Sequence, residues 1–391
     1  MKTPLCILVI LLNGALFAQN NIETILSSIE ENNITLKALR EEAEAKKFGN
    51  KAGIYLANPE IEYNYLWGSP DIIGNRTDFS IRQTFDIPTI AGMKSRIGNK
   101  QNGLIELQYK TDRTSILLQA KQLCIDLMYY DALKKEQIVR LQHAETIAGG
   151  YKKKLEQGDI GITEYNKVQL NLLSVRGELS HIEIEYNVVL SELKRLNGGV
   201  ELALEDCRYE DTLFPVNFDD WYASAKLRNP VLEYVSLETE ISKDQVALNR
   251  VMGLPFFSAG YMSEKMLGEH FQGVTFGISI PLWGNKNRVK QAKVAAKAAV
   301  SRQEDSWQQF YNHFQNLYER TNGLKNITDN YKKSLTVFTN TDLLKKALDA
   351  GEISVLEYVV EIGLYYEIVN KALEAERDYR KARAELEEWE L

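Results

Sequence analysis

Four histidines, His143, His181, His270 and His313, are scattered over 391 residues. None stands in an HExxH pair or beside cysteines at zinc-ligand spacing, and no glycine-rich phosphate loop occurs. Soft-metal chemistry has one candidate set, Met262, Met266 and His270, whose thioethers and imidazole suit a soft cation. The competing reading of the same residues is an ordinary loop between two strands. Of three cysteines, Cys6 lies in an apolar N-terminal run, Cys124 in a helical pattern and Cys207 in a polar connector. That distribution points to unpaired thiols rather than a disulfide framework. With 47 Lys+Arg against 54 Asp+Glu the formal charge is -7, which offers no general attraction for nucleic acid. The residues therefore predict no enzyme, no cofactor and no bound metal.

Lys2 followed by the apolar run Leu5–Leu12 and by small Ala18 predicts a secretory signal peptide over residues 1–18. No later stretch of ~18 apolar residues provides a transmembrane helix. An aromatic content of 10% argues against a disordered chain, and only 8 prolines permit long helices.

What must position any functional residue is a duplication. Leu155-x-x-Gly158-x-Ile160-x-x-x-Glu164-Tyr165 returns as Leu348-x-x-Gly351-x-Ile353-x-x-x-Glu357-Tyr358, at an offset of 193. Upstream, Asn33, Leu36, Glu42 and Pro59 match Asn229, Leu232, Glu238 and Pro255 at an offset of 196. The expected organisation is a first repeat over 19–205, a connector over 206–217 and a second repeat over 218–391.

Each repeat reads the same way. A helical segment, Ile22–Ala57 or Phe218–Val251, leads into two short runs of period two, with strands expected at about 59–67 and 77–88, then about 254–263 and 272–282. Ile61, Tyr63, Tyr65 and Trp67 alternate with Glu60, Glu62 and Asn64, as a strand between two solvents requires. Alternation alone favours an antiparallel sheet laid on a soluble core. The helices that follow argue otherwise. Ile90–Gln157 contains no proline and would extend on the order of 100 Å at ~1.5 Å per residue, more than a compact domain accommodates. The returning helices carry seams of near-heptad step, Tyr165, Leu172, Leu179, Glu183, Tyr186 and Tyr358, Tyr365, Ala372, Glu376, Tyr379. The tyrosines serve packing; Glu183 and Glu376 either line a tunnel or pair with a cation on a neighbouring helix. Gly158 and Gly351 stop one helix so that the next returns. The fold class is thus mixed α+β, mainly α, with tandem long helical hairpins. Four strands cannot close a barrel and an open edge cannot face lipid, so several copies must share one barrel.

These residues resemble the TolC-type outer-membrane efflux family over nearly the whole chain after the leader. The duplicated Gly158 and Gly351 motifs carry the resemblance, with Ile87-Pro88, Ile280-Pro281-Leu282-Trp283 and the stretch from Arg288 to Gln291-Ala292. It implies a homotrimer forming one 12-stranded outer-membrane β-barrel, in contact with outer-membrane lipid and continued by a periplasmic α-barrel. A periplasmic adaptor and an inner-membrane pump are the implied partners, and no nucleic acid is. The hairpin tips, Gly158, Asp159, Ile160 and Thr163 with Gly351, Glu352, Ile353 and Ser354, would dock the adaptor. Glu357 matches the first acidic residue of the family's narrow aperture, whereas the second falls on Val360 and leaves Glu361 as the nearest acid. The alternative is that Glu357 and its counterpart Glu164 simply begin helices. Gln83 and Gly277–Leu282 look most like the branch serving heavy-metal cation pumps. Other readings are a drug-efflux or type I secretion channel, and, from another class, a periplasmic coiled-coil adaptor or scaffold.

Overall fold

The computed structural model describes residues 22–85, 88–202, 214–215, 217–283, 285–338 and 341–391. The leader over 1–18, Ile87, Cys207 and most of the connector over 206–217 lie outside the described residues.

The first repeat runs α1 (Ile22–Asn32), α2 (Ile34–Lys51), β1 (Glu60–Leu66), β2 (Arg76–Phe85), α3 (Pro88–Gln157) and α4 (Ile162–Leu196). The second repeats the order as α5 (Phe218–Arg228), α6 (Pro230–Val251), β3 (Phe256–Met266), β4 (Glu269–Ser279), α7 (Arg288–Val337), α8 (Thr341–Ala350) and α9 (Val355–Leu386). Two interruptions depart from the expected helices. The opening segment of each repeat breaks at an asparagine, Asn33 or Asn229. The Asn229 side chain accepts the Val231 N–H and Pro230 occupies the first helical turn, the arrangement that starts a new helix. Asn33, also buried, donates its amide to the Leu196 carbonyl at 2.7 Å. The outgoing arm of the second hairpin stops at Val337 and resumes at Thr341. Thr336, Val337, Phe338, Thr339 and Asn340 are all weak helix formers.

The chain divides into two units. The first comprises residues up to Ile34, Leu117–Phe214 and Thr321–Glu385. Its core joins both hairpins: Ala144 and Ala148 of α3, Val168 and Leu172 of α4, Leu348 of α8, and Val355, Tyr358 and Ile362 of α9. Seam tyrosines Tyr358 and Tyr379 are buried, as packing requires. Cys124 is a buried thiol within α3.

The second unit comprises Thr35–Ile116, Pro215–Arg320 and Leu386–Leu391. Here Ile90 and Ile97 of α3 pack on Leu248 of α6, and Phe218 and Trp221 of α5 pack against Tyr311, edge to face, and Phe314, tilted, of α7. The unit also holds one antiparallel sheet in the order β1-β2-β3-β4. The central pairing, β2 with β3, joins the two repeats from Arg76↔Met266 to Phe85↔Phe257. Among the described residues no strand lies beside the outer edge of β1 or of β4.

Candidate functional site

Cross-strand partners lie on the same face of a sheet, so the registers assign every side chain to one of two surfaces. One surface carries Ile61, Ile81, Tyr261 and Val274 in one row, Tyr63 and Phe79 in the next row towards the turns, and Phe276, then Phe85, Phe257 and Ile278, towards the helices. Gln83 falls among them, with its amide donating to the Ala57 carbonyl at 2.7 Å. From Phe79 to Phe85 this band is about 20 Å long at ~3.4 Å per residue, somewhat short of the ~25 Å apolar belt of a membrane barrel. Aromatic residues flank it: Tyr65 and Trp67, edge to face at 5.5 Å, at the turn end, and Trp283 beyond the other end. The opposite surface presents Glu60, Glu62, Asn64, Asp78, Arg82 and Glu264, with Gly260, Gly273 and Gly277 between them.

Among the described residues nothing covers the apolar surface. Val274, Phe276 and Ile278 are 74%, 83% and 59% exposed, and every residue of β1 is exposed. A sheet laid on a soluble core would bury this face, so that alternative does not describe the chain. Among the described residues no helix is long and apolar enough to cross a membrane.

The strand limits correct one chemical candidate. Strands β3 and β4 continue to Met266 and from Glu269, joined by Leu267-Gly268 with φ of 51° and 86°. Met262, Met266 and His270 thus stand in strands, not in a loop. Register puts both methionines on one face and His270 on the other, where its Nε2 lies 2.7 Å from the Ser263 hydroxyl. The three side chains do not converge on a cation.

The two hairpin tips have the same backbone geometry. Gly158 and Gly351 take φ of +79° and +72°. The Asp159 N–H donates to the Lys154 carbonyl and the Glu352 N–H to the Ala347 carbonyl, both at 2.9 Å. Gly158 and Gly351 donate to Leu155 and Leu348, both at 3.1 Å. These paired bonds satisfy the last carbonyls of α3 and α8, and the left-handed glycine reverses the chain. Asp159, Thr163, Glu352 and Ser354 are exposed beside them, and Ile160 and Ile353 half-buried. The tips differ in how the return helix begins. Gly161 precedes α4 with no side-chain cap. Ser354 and Glu357 cap α9 reciprocally, and these hydrogen bonds, the Ser354 backbone N–H first and its hydroxyl second, hold the Glu357 carboxyl below its ordinary range. Glu361, one turn on, is exposed.

Both seam glutamates have cationic partners on a neighbouring helix. Lys134 of α3 lies 3.0 Å from Glu183, and Lys332 of α7 lies 3.3 Å from Glu376, which also pairs with Arg380.

One polar cluster was not anticipated. Gln137 and Arg140 of α3 are 3% and 6% exposed. Gln137 donates to the Val175 carbonyl of α4; Arg140 donates to Asn370 at 2.9 Å and to the Tyr366 carbonyl at 3.4 Å, both on α9. The guanidinium also lies 4.3 Å over the Tyr366 ring. Burial lowers the Arg140 pKa and pushes the Tyr366 hydroxyl up to about 12. The available signal was position: Leu133, Gln137, Arg140 and Ala144 recur at steps of four, three and four, which places two polar residues in an apolar seam.

No protein-family model matches the chain, and no curated protein sequence does. Solved structures do. The chain matches CusC, whose structures concern transmembrane channel formation, with a TM-score of 0.79 at 13% identity, over 95% of this chain and 92% of that one. For the outer-membrane channel OprN the values are 0.78 and 11%, over 94% and 89%. For the Campylobacter jejuni CmeC outer membrane channel they are 0.76 and 15%, over 94% and 85%. At such identities the likeness concerns architecture, and it extends nearly end to end: this chain has the fold of those channel proteins.

Proposed function

We propose that three copies of this chain form a passive exit channel in the outer membrane, extending into the periplasm, with no catalytic step of its own. The observation that carries this reading is the four-stranded sheet, apolar and uncovered on one face, polar on the other, with two open edges. Three such sheets joined edge to edge give the 12-stranded barrel that the sequence resemblance implies, and closure removes every unpaired strand edge from lipid. The fold likeness to outer-membrane channels supports the same reading. The tips at Gly158–Thr163 and Gly351–Leu356 are the proposed docking surfaces for a periplasmic adaptor, through which an inner-membrane pump supplies energy. Their support is the duplicated glycine geometry and the exposure of the flanking side chains. Glu357 and Glu361 are the proposed aperture acids.

The proposed cargo is a transition-metal cation. It rests on the sequence resemblance alone, because the fold likeness to CusC and OprN names no cargo. The deciding experiment is fractionation followed by detergent extraction. The protein is expected in the outer membrane as a heat-modifiable trimer with mixed α and β circular dichroism; a soluble monomer overturns the reading. A deletion strain tests the cargo. Lost metal tolerance supports a cation, and drug sensitivity with unchanged metal tolerance reassigns the channel to drugs.

A further inference from the structure

The helices joined to the sheet stand in the same order as its strands. Helix α2 meets α3 where Arg40 and Lys47 both pair with Glu106 and Asn50 donates to Asn102. Helix α3 meets α6 where Arg96 pairs with Asp244 at 2.7 Å and Lys100 with Glu240 at 2.8 Å. Helix α6 meets α7 where Arg302 pairs with Glu238 and Gln303 donates to the Ser236 hydroxyl. The order α2-α3-α6-α7 repeats β1-β2-β3-β4, so α2 and α7 are the outer helices as β1 and β4 are the outer strands.

Each outer helix turns one face to its neighbour and leaves the opposite face uncovered. On α2 that opposite face is Ala38, Glu41, Ala45 and Phe48, at steps of three, four and three; all are exposed, Phe48 to 72%. On α7 it is Lys290, Val294, Lys297 and Ser301, at steps of four, three and four; all are exposed, Val294 to 61%. The two faces differ in charge. Glu42 and Glu44 flank Glu41, and among the described residues none of the three has a cationic partner. Residues 288–303 of α7 hold five bases and no acid. Of these bases Arg302 alone is paired among the described residues.

Resting on the exit-channel reading, we infer that the α2 face around Glu41 and Phe48 packs against the α7 face around Val294 and Lys297 of the next copy. Chain continuity selects this occupant. Helix α2 leads into β1 and α7 follows β4, so joining the β1 edge of one copy to the β4 edge of its neighbour sets these two helices side by side. The contact gives the α7 bases the carboxylates that their own chain does not, and it covers Phe48 and Val294. Two α2 faces, or two α7 faces, would repel each other. The helices thereby enforce the same head-to-tail sense around the ring as the strand edges do.

The test uses the full-length protein in membranes, with the photo-crosslinker benzoylphenylalanine in place of the exposed Phe48. Irradiation is expected to join two copies through a peptide within residues 288–305, identified by mass spectrometry. A link to lipid, to another protein or to a different segment, or no link, overturns the interface. Charge reversal tests it independently. Glu41→Lys with Glu44→Lys, and separately Lys293→Glu with Lys297→Glu, are expected to cut the trimer recovered in detergent by about two-fold or more, and all four changes together to restore it. No loss in either pair, or loss without restoration, overturns the interface alone. An unmodified protein that is monomeric overturns the exit-channel reading and the interface with it.

Discussion

The carboxylate of Glu357 accepts the backbone N–H of Ser354 at 2.8 Å, and the N–H of Glu357 donates to the Ser354 hydroxyl at 3.2 Å. Two helix-start donors of α9 are satisfied by this exchange, whereas Gly161 gives α4 no such bond. The first turn of α9 should therefore exchange its amide hydrogens more slowly than that of α4. Ser354→Ala should cost the helix start about 1 kcal/mol and abolish the difference. Hydrogen exchange resolved at the two tips checks this; equal protection in the unmodified protein would contradict it.

The same cap has a pH dependence of definite sign. The folded-state pKa of Glu357 is depressed, so its contribution is full above the ordinary carboxylate pKa and is lost as pH falls through the lowered value. Protection of the α9 first turn should hold from neutral pH to about pH 5 and decline below about pH 4. Glu357→Gln should flatten that profile, and an unaltered acid decline in the variant would assign the effect to another group.

At Gly158 and Gly351 the cost of substitution lies in the backbone. A Cβ at either position meets nothing within 4 Å, yet φ of +79° and +72° disfavours a side chain. Valine at either tip should cost about 1–3 kcal/mol locally, with asparagine costing less because it tolerates this region. The sheet, in the other unit, should still carry the protein into the membrane. Adaptor crosslinking and export should fall in Gly158→Val and Gly351→Val, and full export by the double variant would remove the docking assignment.

The tip geometry was legible because the duplication exposed it: one glycine between matching flanks, twice, leaves few alternatives to a chain reversal. The sheet was legible in its faces but not in its ends. Leu267-Gly268 is a poor turn signal, since a leucine at φ of 51° is unusual where Asn-Gly is the common choice. Strand β3 therefore read as ending early, and His270 as a loop residue. The breaks at Asn33 and Asn229 were obscured because helical periodicity resumes within a residue of each, although Asn229-Pro230 is itself a helix-start signal. Arg140 stayed hidden for a different reason: no local pattern says that a charged residue in a seam is met by an amide rather than by water.

Arg140 yields a comparison of two substitutions. Its hydrogen bonds go to neutral acceptors, the side chains of Gln137 and Asn370 and the Tyr366 carbonyl, and among the described residues its Nε has none. Removing a buried charge spares its desolvation, whereas removing an acceptor leaves the charge buried and short of a bond. Arg140→Met should change stability by less than about 1 kcal/mol or raise it. Asn370→Leu should cost about 1.5–3 kcal/mol. Thermal or denaturant unfolding of the detergent-extracted protein gives both values, and a larger loss for Arg140→Met would show that the stacked guanidinium outweighs its burial.

The proposed aperture assigns different weights to two acids one turn apart. Glu357 is committed to its cap at Ser354, and a carboxylate so held still carries its charge but cannot swing towards a permeating ion. Glu361 is exposed on the same helix. Threefold symmetry would set three copies of each around one axis, where like charges raise the local cation concentration. Glu361→Gln should therefore account for most of the loss in cation selectivity and in block by multivalent cations, with Glu357→Gln adding less and Glu164→Gln least. Single-channel recordings rank the three. If the double variant Glu357→Gln with Glu361→Gln kept the unmodified selectivity and block, Glu357 would be a helix-start residue only, and the narrowest charged ring would have to be built from other side chains.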